Sequence, residues 1–195
     1  MTAKIGALLW VASTLAYFAA EAIAAAALPG YSYVADYISR LGLPRTSPRA
    51  GVMNAAFLVQ GVFFPVGAAL LARGVRERMA PPFLAFATLN GVGNVLVGLV
   101  PGDGSVWHLA GAVLAIVGGN LAILVGAPVL RRADTSWAYL AMSVALGLVG
   151  LFCVTVFALD ALPIGVWERG CVYSIYVWQV ATAVVVLRGG RLSVS

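Results

Sequence analysis

Six uninterrupted apolar runs, near residues 5–28, 51–72, 81–100, 107–130, 137–159 and 167–187, occupy most of this 195-residue chain. An α-helix rises about 1.5 Å per residue, so about 20 apolar residues cross the hydrocarbon core of a bilayer. Each run is therefore a transmembrane helix by length, and the six leave no room for a soluble catalytic domain. Composition agrees: 62% of residues are apolar and 10% charged, where a soluble domain carries roughly 25% charged residues. The expected fold is all-α, one six-helix transmembrane domain over residues 1–195.

The ends of the runs carry helix signals. Ser47-Pro48, Pro81-Pro82, Ser105 and Thr135-Ser136 are expected to supply N-cap oxygens and first-turn prolines. Leu28-Pro29-Gly30 and Pro163-Ile164-Gly165 read as helix stops. Lys4, the first apolar run and Ala24–Ala27 imitate the regions of a signal peptide, but Glu21 is out of place there, and the segment is read as a retained span.

Orientation follows from Lys and Arg, which favour the cytoplasmic side. Lys4, Arg73, Arg76, Arg78, Arg131, Arg132, Arg188 and Arg191 fall on one side, against Arg40, Arg45, Arg49 and Arg169 on the other. Both termini are thus expected in the cytoplasm, and the 29–50, 101–106 and 160–166 loops outside. The net charge of +5 then reflects topology and contact with anionic lipid rather than nucleic acid. Cys153 and Cys171 lie within spans and read as small apolar residues rather than a disulfide.

Polar side chains are costly within a membrane, so their placement is the main functional signal. Glu21, Asp36, Asp103, Asp160 and Glu168 gather toward the outer side on this topology, as does His108, the sole histidine. Glu21 lies shallowly in the first span and reads either as a ligand or proton-handling carboxylate or as a hydrogen-bonded interfacial residue. Tyr33, Tyr37 and Leu41 recur at helical spacing, which predicts a short amphipathic helix in the interface. Asp36 and Arg40, four apart, would pair on it, and Gly42 would stop it. Asn90 and Asn94 share a face with Gly91 and Gly98, a pattern of interhelical packing. Asn54, Gln60 and Asn120 invite the same reading.

Two functional classes use the outer cluster. In the first, Glu21, Asp36, Ser39, Arg40, Asn54, Asn94 and His108 wall a polar cavity that receives a membrane lipid. In the second, the same cavity is a hydrolase or transferase site, with Asp103 orienting His108 as base and Ser39 or Ser105 as nucleophile. No diagnostic motif accompanies that set. A third class is an accessory subunit in contact with another membrane protein or a second copy of itself. Transport is disfavoured, because no acidic relay continues to the inner side. One histidine and two buried cysteines give no zinc-ligand spacing, although outer carboxylates alone suffice for a hard cation. The Gly91/Gly93 and Gly118/Gly119 pairs lack the context of a phosphate loop, and no cofactor is expected.

The run Asp36-Tyr37-Ile38-Ser39-Arg40-Leu41-Gly42, with Pro44 and Met53-Asn54, resembles the prokaryotic membrane family DUF998. So do Gly91, Gly98, Pro101, His108, Gly111, Ala112 and Gly118. The same pieces are distantly similar to the FRAG/DRAM/Sfk superfamily. His108-Leu109-Ala110-Gly111-Ala112 fits its His-x-x-Gly-Ala helix start, while Ser39-Arg40 stands where that superfamily has Ser-Asp. The resemblance implies six helices, a role in lipid remodelling or distribution, and a prokaryotic plasma or inner membrane as location.

Overall fold

A computed structural model describes residues 1–102, 104–131, 136–159 and 162–188. Among them are six long helices, α1 (Thr2–Ala27), α2 (Ala50–Ala72), α3 (Ala80–Leu99), α4 (Val106–Leu130), α5 (Ser136–Ala158) and α6 (Ile164–Leu187), and no strand. All six are long and apolar enough to cross a membrane. Helix boundaries match the apolar runs within three residues, because hydropathy and backbone hydrogen bonding impose the same limits on a helix in lipid.

Each helix packs on the next in sequence, and α6 returns to α1, so the bundle closes on itself. Such packing without a hydrophobic force between helices depends on close approach of small residues and on interhelical hydrogen bonds. Gly93 of α3 faces the Gly111 carbonyl and the Ala115 backbone of α4 so closely that any Cβ would collide with them. Asn90, one turn away, donates from Nδ2 to the Ala115 carbonyl at 2.6 Å. The large apolar side chains left exposed, including Leu15, Val62, Leu109, Leu148 and Phe152, suit a surface bathed by acyl chains. Cys153 and Cys171 are buried free thiols.

Several local expectations change. Pro163 is the N-cap of α6 rather than a stop; its fixed φ suits a helix start. Ser105 occupies the N-cap of α4 without a side-chain cap bond, and Arg49, not Ser47, is the N-cap of α2. Thr135 lies outside the described residues. The connection between α1 and α2 is helical only at Ile38–Gly42, as a 3-10 helix. Residues before it form turns instead of extending the Tyr33–Leu41 stripe. There Ser32 accepts from the Asp36 N–H with its carbonyl at 2.8 Å and from the Ala35 N–H with its hydroxyl at 3.2 Å. Local Ser and Asp hydrogen bonds of this kind compete with a continuous helix.

Candidate functional site

The connection between α1 and α2 forms a roof over one end of the bundle, held by charges that rise into it from the helices. Glu21 lies six residues before the end of α1, about 9 Å along the helix, and is buried. Its partner is Arg169 of α6, with Nη2 at 3.0 Å and Nε at 3.1 Å from Glu21 Oε1. Tyr173, one turn along α6, donates to Glu21 Oε2 at 2.8 Å. The two N–H groups of Arg169 Nη1 are shared among three carbonyls, those of Tyr33 at 2.7 Å, Asp36 at 3.0 Å and Gly165 at 3.1 Å. Its Nη2 also meets the Tyr31 hydroxyl, and the guanidinium lies 4.7 Å from the Tyr33 ring centroid. Five donors in a planar fork make such multiple bonding possible, where a lysine ammonium offers three.

Glu168, the preceding residue, accepts the Ile38 backbone N–H and so holds the start of the 3-10 helix. Gly165 lets the roof descend onto the first turn of α6: a Cβ there would sit 2.6–2.8 Å from the carbonyl oxygens of Asp36, Tyr33 and Val34. At the far end of the roof, Asn54 Nδ2 donates to the Gly42 carbonyl at 3.0 Å. Asp36 pairs with Arg40 and accepts the Ser32 N–H at 2.8 Å.

Electrostatics in the roof follow these contacts. Partial burial raises the Asp36 pKa, but the Ser32 N–H and the Arg40 guanidinium outweigh it and hold the carboxyl below its usual value. Burial pushes the Tyr31 phenol up to about 12, against the opposing pull of Arg169. Tyr33 is raised by the same cause.

Beneath the roof lies a cavity of about 350 Å³. Its walls are mainly apolar, with Phe57, Val97, Leu109, Ile116, Phe157, Val172 and Ile175 among them, and its polar lining includes Tyr17, Ser39, Gln60, Asn90, Asn94, His108 and Glu168. A second, shallower hollow of about 370 Å³ adjoins it, bordered by Ser39, Arg40, Leu43, Thr46, Gly102 and His108. Tyr37, Ser39, Gly104 and His108 border both. The arrangement is an apolar chamber with a more polar vestibule.

Of the residues singled out from the sequence, Ser39, Gln60, Asn90, Asn94, Ser105, His108 and Glu168 line the chamber, and Arg40 borders the vestibule. Glu21, Asp36 and Asn54 do not line either; their polar groups hold the roof and the α1–α6 contact. Asn94 Nδ2 donates to the Asn90 carbonyl at 2.9 Å, which restrains its amide along α3. His108 Nδ1 faces the Val100 carbonyl at 2.8 Å, so the proton belongs on Nδ1 when the ring is neutral. Asp103 and Asp160 lie outside the described residues. Among those described, no group of three His, Cys, Asp or Glu side chains forms a metal site.

Arg169, Tyr173 and Tyr17 are absent from the sequence-derived cluster. Arg169 counts there only as an outer-side charge, whereas it is a buried helix residue paired with Glu21. Its signal is the adjacent pair Glu168-Arg169 near the start of an apolar run, of which Arg169 is opposite in sign to the intramembrane Glu21.

The fold and this chamber define a multi-pass membrane helical bundle with a roofed, amphipathic cavity. The chain belongs to the family described as protein of unknown function (DUF998), whose model matches residues 11–185. No curated protein matches it. No solved structure matches it either.

Proposed function

We propose that the protein binds a membrane lipid, with the apolar part in the chamber and the polar part in the vestibule. The observation that carries this reading is the pairing of a mainly apolar cavity of about 350 Å³ with an adjoining hollow bordered by Ser39, Arg40, Thr46 and His108. Small-molecule sites share that character, an apolar body with a few fixed polar groups. Exposed Val106 and Leu109 stand at the α4 side of the chamber and offer a lateral path from the bilayer. On this reading Ser39, Asn94 and His108 touch the ligand, Arg40 meets its headgroup, and Glu21, Asp36 and Asn54 act on binding through the roof.

The location is a prokaryotic cell membrane, with the termini cytoplasmic and the roofed end in the outer leaflet. The charge distribution supports this orientation: Lys4, Arg73, Arg76, Arg78, Arg131 and Arg188 lie toward the termini. Arg169 is neutralised by Glu21 and so drops out of the opposing set. On the hydrolase or transferase reading His108 Nε2 is the basic nitrogen, because Nδ1 is directed at a backbone carbonyl. Ser39 and Ser105 line the same chamber, but among the described residues neither is hydrogen-bonded to the ring, so this reading ranks second.

Native mass spectrometry of the detergent-purified protein tests the proposal, with wild type beside Ala112→Phe, which fills the chamber, and His108→Ala at the vestibule. A retained lipid that Ala112→Phe expels is the expected result. Wild-type protein that retains none, and takes up none from mixed phospholipid vesicles, overturns it.

A further inference from the structure

Two buried polar atoms at the chamber have no hydrogen-bond partner among the described residues: the Tyr17 hydroxyl and Gln60 Oε1. Each residue is 1% exposed and each lines the chamber. Both lie deep in the bundle. Tyr17 is ten residues before the end of α1 and Gln60 ten after the start of α2, about 15 Å from the roofed end of each helix.

A chain of hydrogen bonds fixes what Gln60 presents. Ser13 Oγ donates to the Trp10 carbonyl at 3.0 Å, an acceptor it shares with Thr14 Oγ1 at 2.9 Å. With its proton directed there, Ser13 Oγ accepts from Gln179 Nε2, at 3.3 Å. That orientation turns Gln179 Oε1 toward Gln60, whose Nε2 donates to it at 2.9 Å. The direction runs one way, from the chamber to the backbone of α1, and leaves Gln60 with a carbonyl that needs a donor. The Tyr17 hydroxyl, which makes no bond within the protein, has a proton to give. A buried polar atom left unmatched costs about 1–3 kcal/mol, so the deep end favours a group that donates and accepts at once.

We infer that the ligand carries an uncharged hydroxyl on its chain, remote from its headgroup, which donates to Gln60 Oε1 and accepts from the Tyr17 hydroxyl. This rests on the lipid-binding reading and narrows it to hydroxylated chains. A carboxylate or phosphate has no proton for Gln60 and is excluded from the deep end by the same logic.

The test uses three monoacylglycerols of one chain length, ending in a hydroxyl, a methoxy or a methyl group, titrated into purified protein and read by native mass spectrometry. Wild type is expected to bind the hydroxyl form about five- to tenfold more tightly than the methyl form, the value of one or two well-made hydrogen bonds. The methoxy form, which accepts but cannot donate, gains little. Gln60→Leu removes the preference. Tyr17→Phe, which breaks no bond inside the protein, reduces it and serves as the variant whose folding is least at risk. Equal binding of all three overturns the hydroxyl inference and leaves the lipid reading standing, with water then matching the deep polar atoms. No binding of any overturns the hydroxyl inference, and the lipid reading falls with it when the same protein also takes up no lipid from phospholipid vesicles.

Discussion

Glu21 and Arg169 are 148 positions apart in sequence and form a buried ion pair at 3.0 Å. The pair ties α1 to α6, the first helix to the last, and through the other guanidinium bonds it also anchors the connection that roofs the chamber. Losing one partner from a buried pair leaves a charge without compensation, at a cost of about 3–5 kcal/mol. Arg169→Ala also frees the Tyr33, Asp36 and Gly165 carbonyls. It is therefore expected to lower the thermal unfolding midpoint in detergent more than Glu21→Gln, which keeps a hydrogen-bonding oxygen for Arg169. Equal midpoints for the two variants would contradict the anchoring role.

Roof stability is expected to fall at both pH extremes. Asp36 is held below its usual carboxyl value, so its contribution is present above that value and is lost as pH falls through the lowered one. Tyr31 sits at about 12, raised from 10.0. Between those values the unfolded chain has released a proton that the folded one keeps, so stability declines as pH rises toward about 12. Asp36→Asn should flatten the acid arm and Tyr31→Phe the alkaline arm in pH-dependent unfolding. A profile unchanged by either substitution would remove the electrostatic account of the roof.

Glycines of the bundle should separate by position. Gly93→Ala places a methyl against the α4 backbone, where overpacking costs about 1–3 kcal/mol. Gly51→Ala meets nothing within 4 Å and gains helix propensity, so it is expected to be neutral or stabilising by up to about 1 kcal/mol. Unfolding in detergent of both variants, side by side, checks this contrast.

Asn90 contributes an interhelical bond to the Ala115 carbonyl, and bonds of this kind within membrane bundles average about 0.6 kcal/mol. Asn90→Ala should accordingly destabilise much less than Arg169→Ala, even though both side chains are buried. A loss as large as that of Arg169→Ala would give the Asn90 amide a role beyond this bond.

The spans were legible in the sequence because lipid demands continuous apolar runs with internally satisfied backbones, and each such run announces its own length. The Asp36–Arg40 pair was legible too, since its partners are four apart and a local turn brings them together. Ser39 and His108 are expected on one cavity from their shared outer side, and both border the chamber, but Glu21, Asp36 and Asn54, expected beside them on the same ground, do not. Arg169 enters the charge count only as an outer-side charge, because such a count uses position along the chain and cannot see a partner on another helix.

Hydropathy by itself determined how many helices this chain makes and where each starts and stops, since those are properties of one segment in its solvent. Tertiary structure alone decided that Glu21 of the first helix met Arg169 of the last, how the 28–49 connection folded over the bundle, and that Ser13, Gln179 and Gln60 aligned into one directed chain of hydrogen bonds. These depend on the rotation of each helix about its axis. That rotation is set by side-chain packing and by buried polar groups finding partners on other helices, which no single segment encodes.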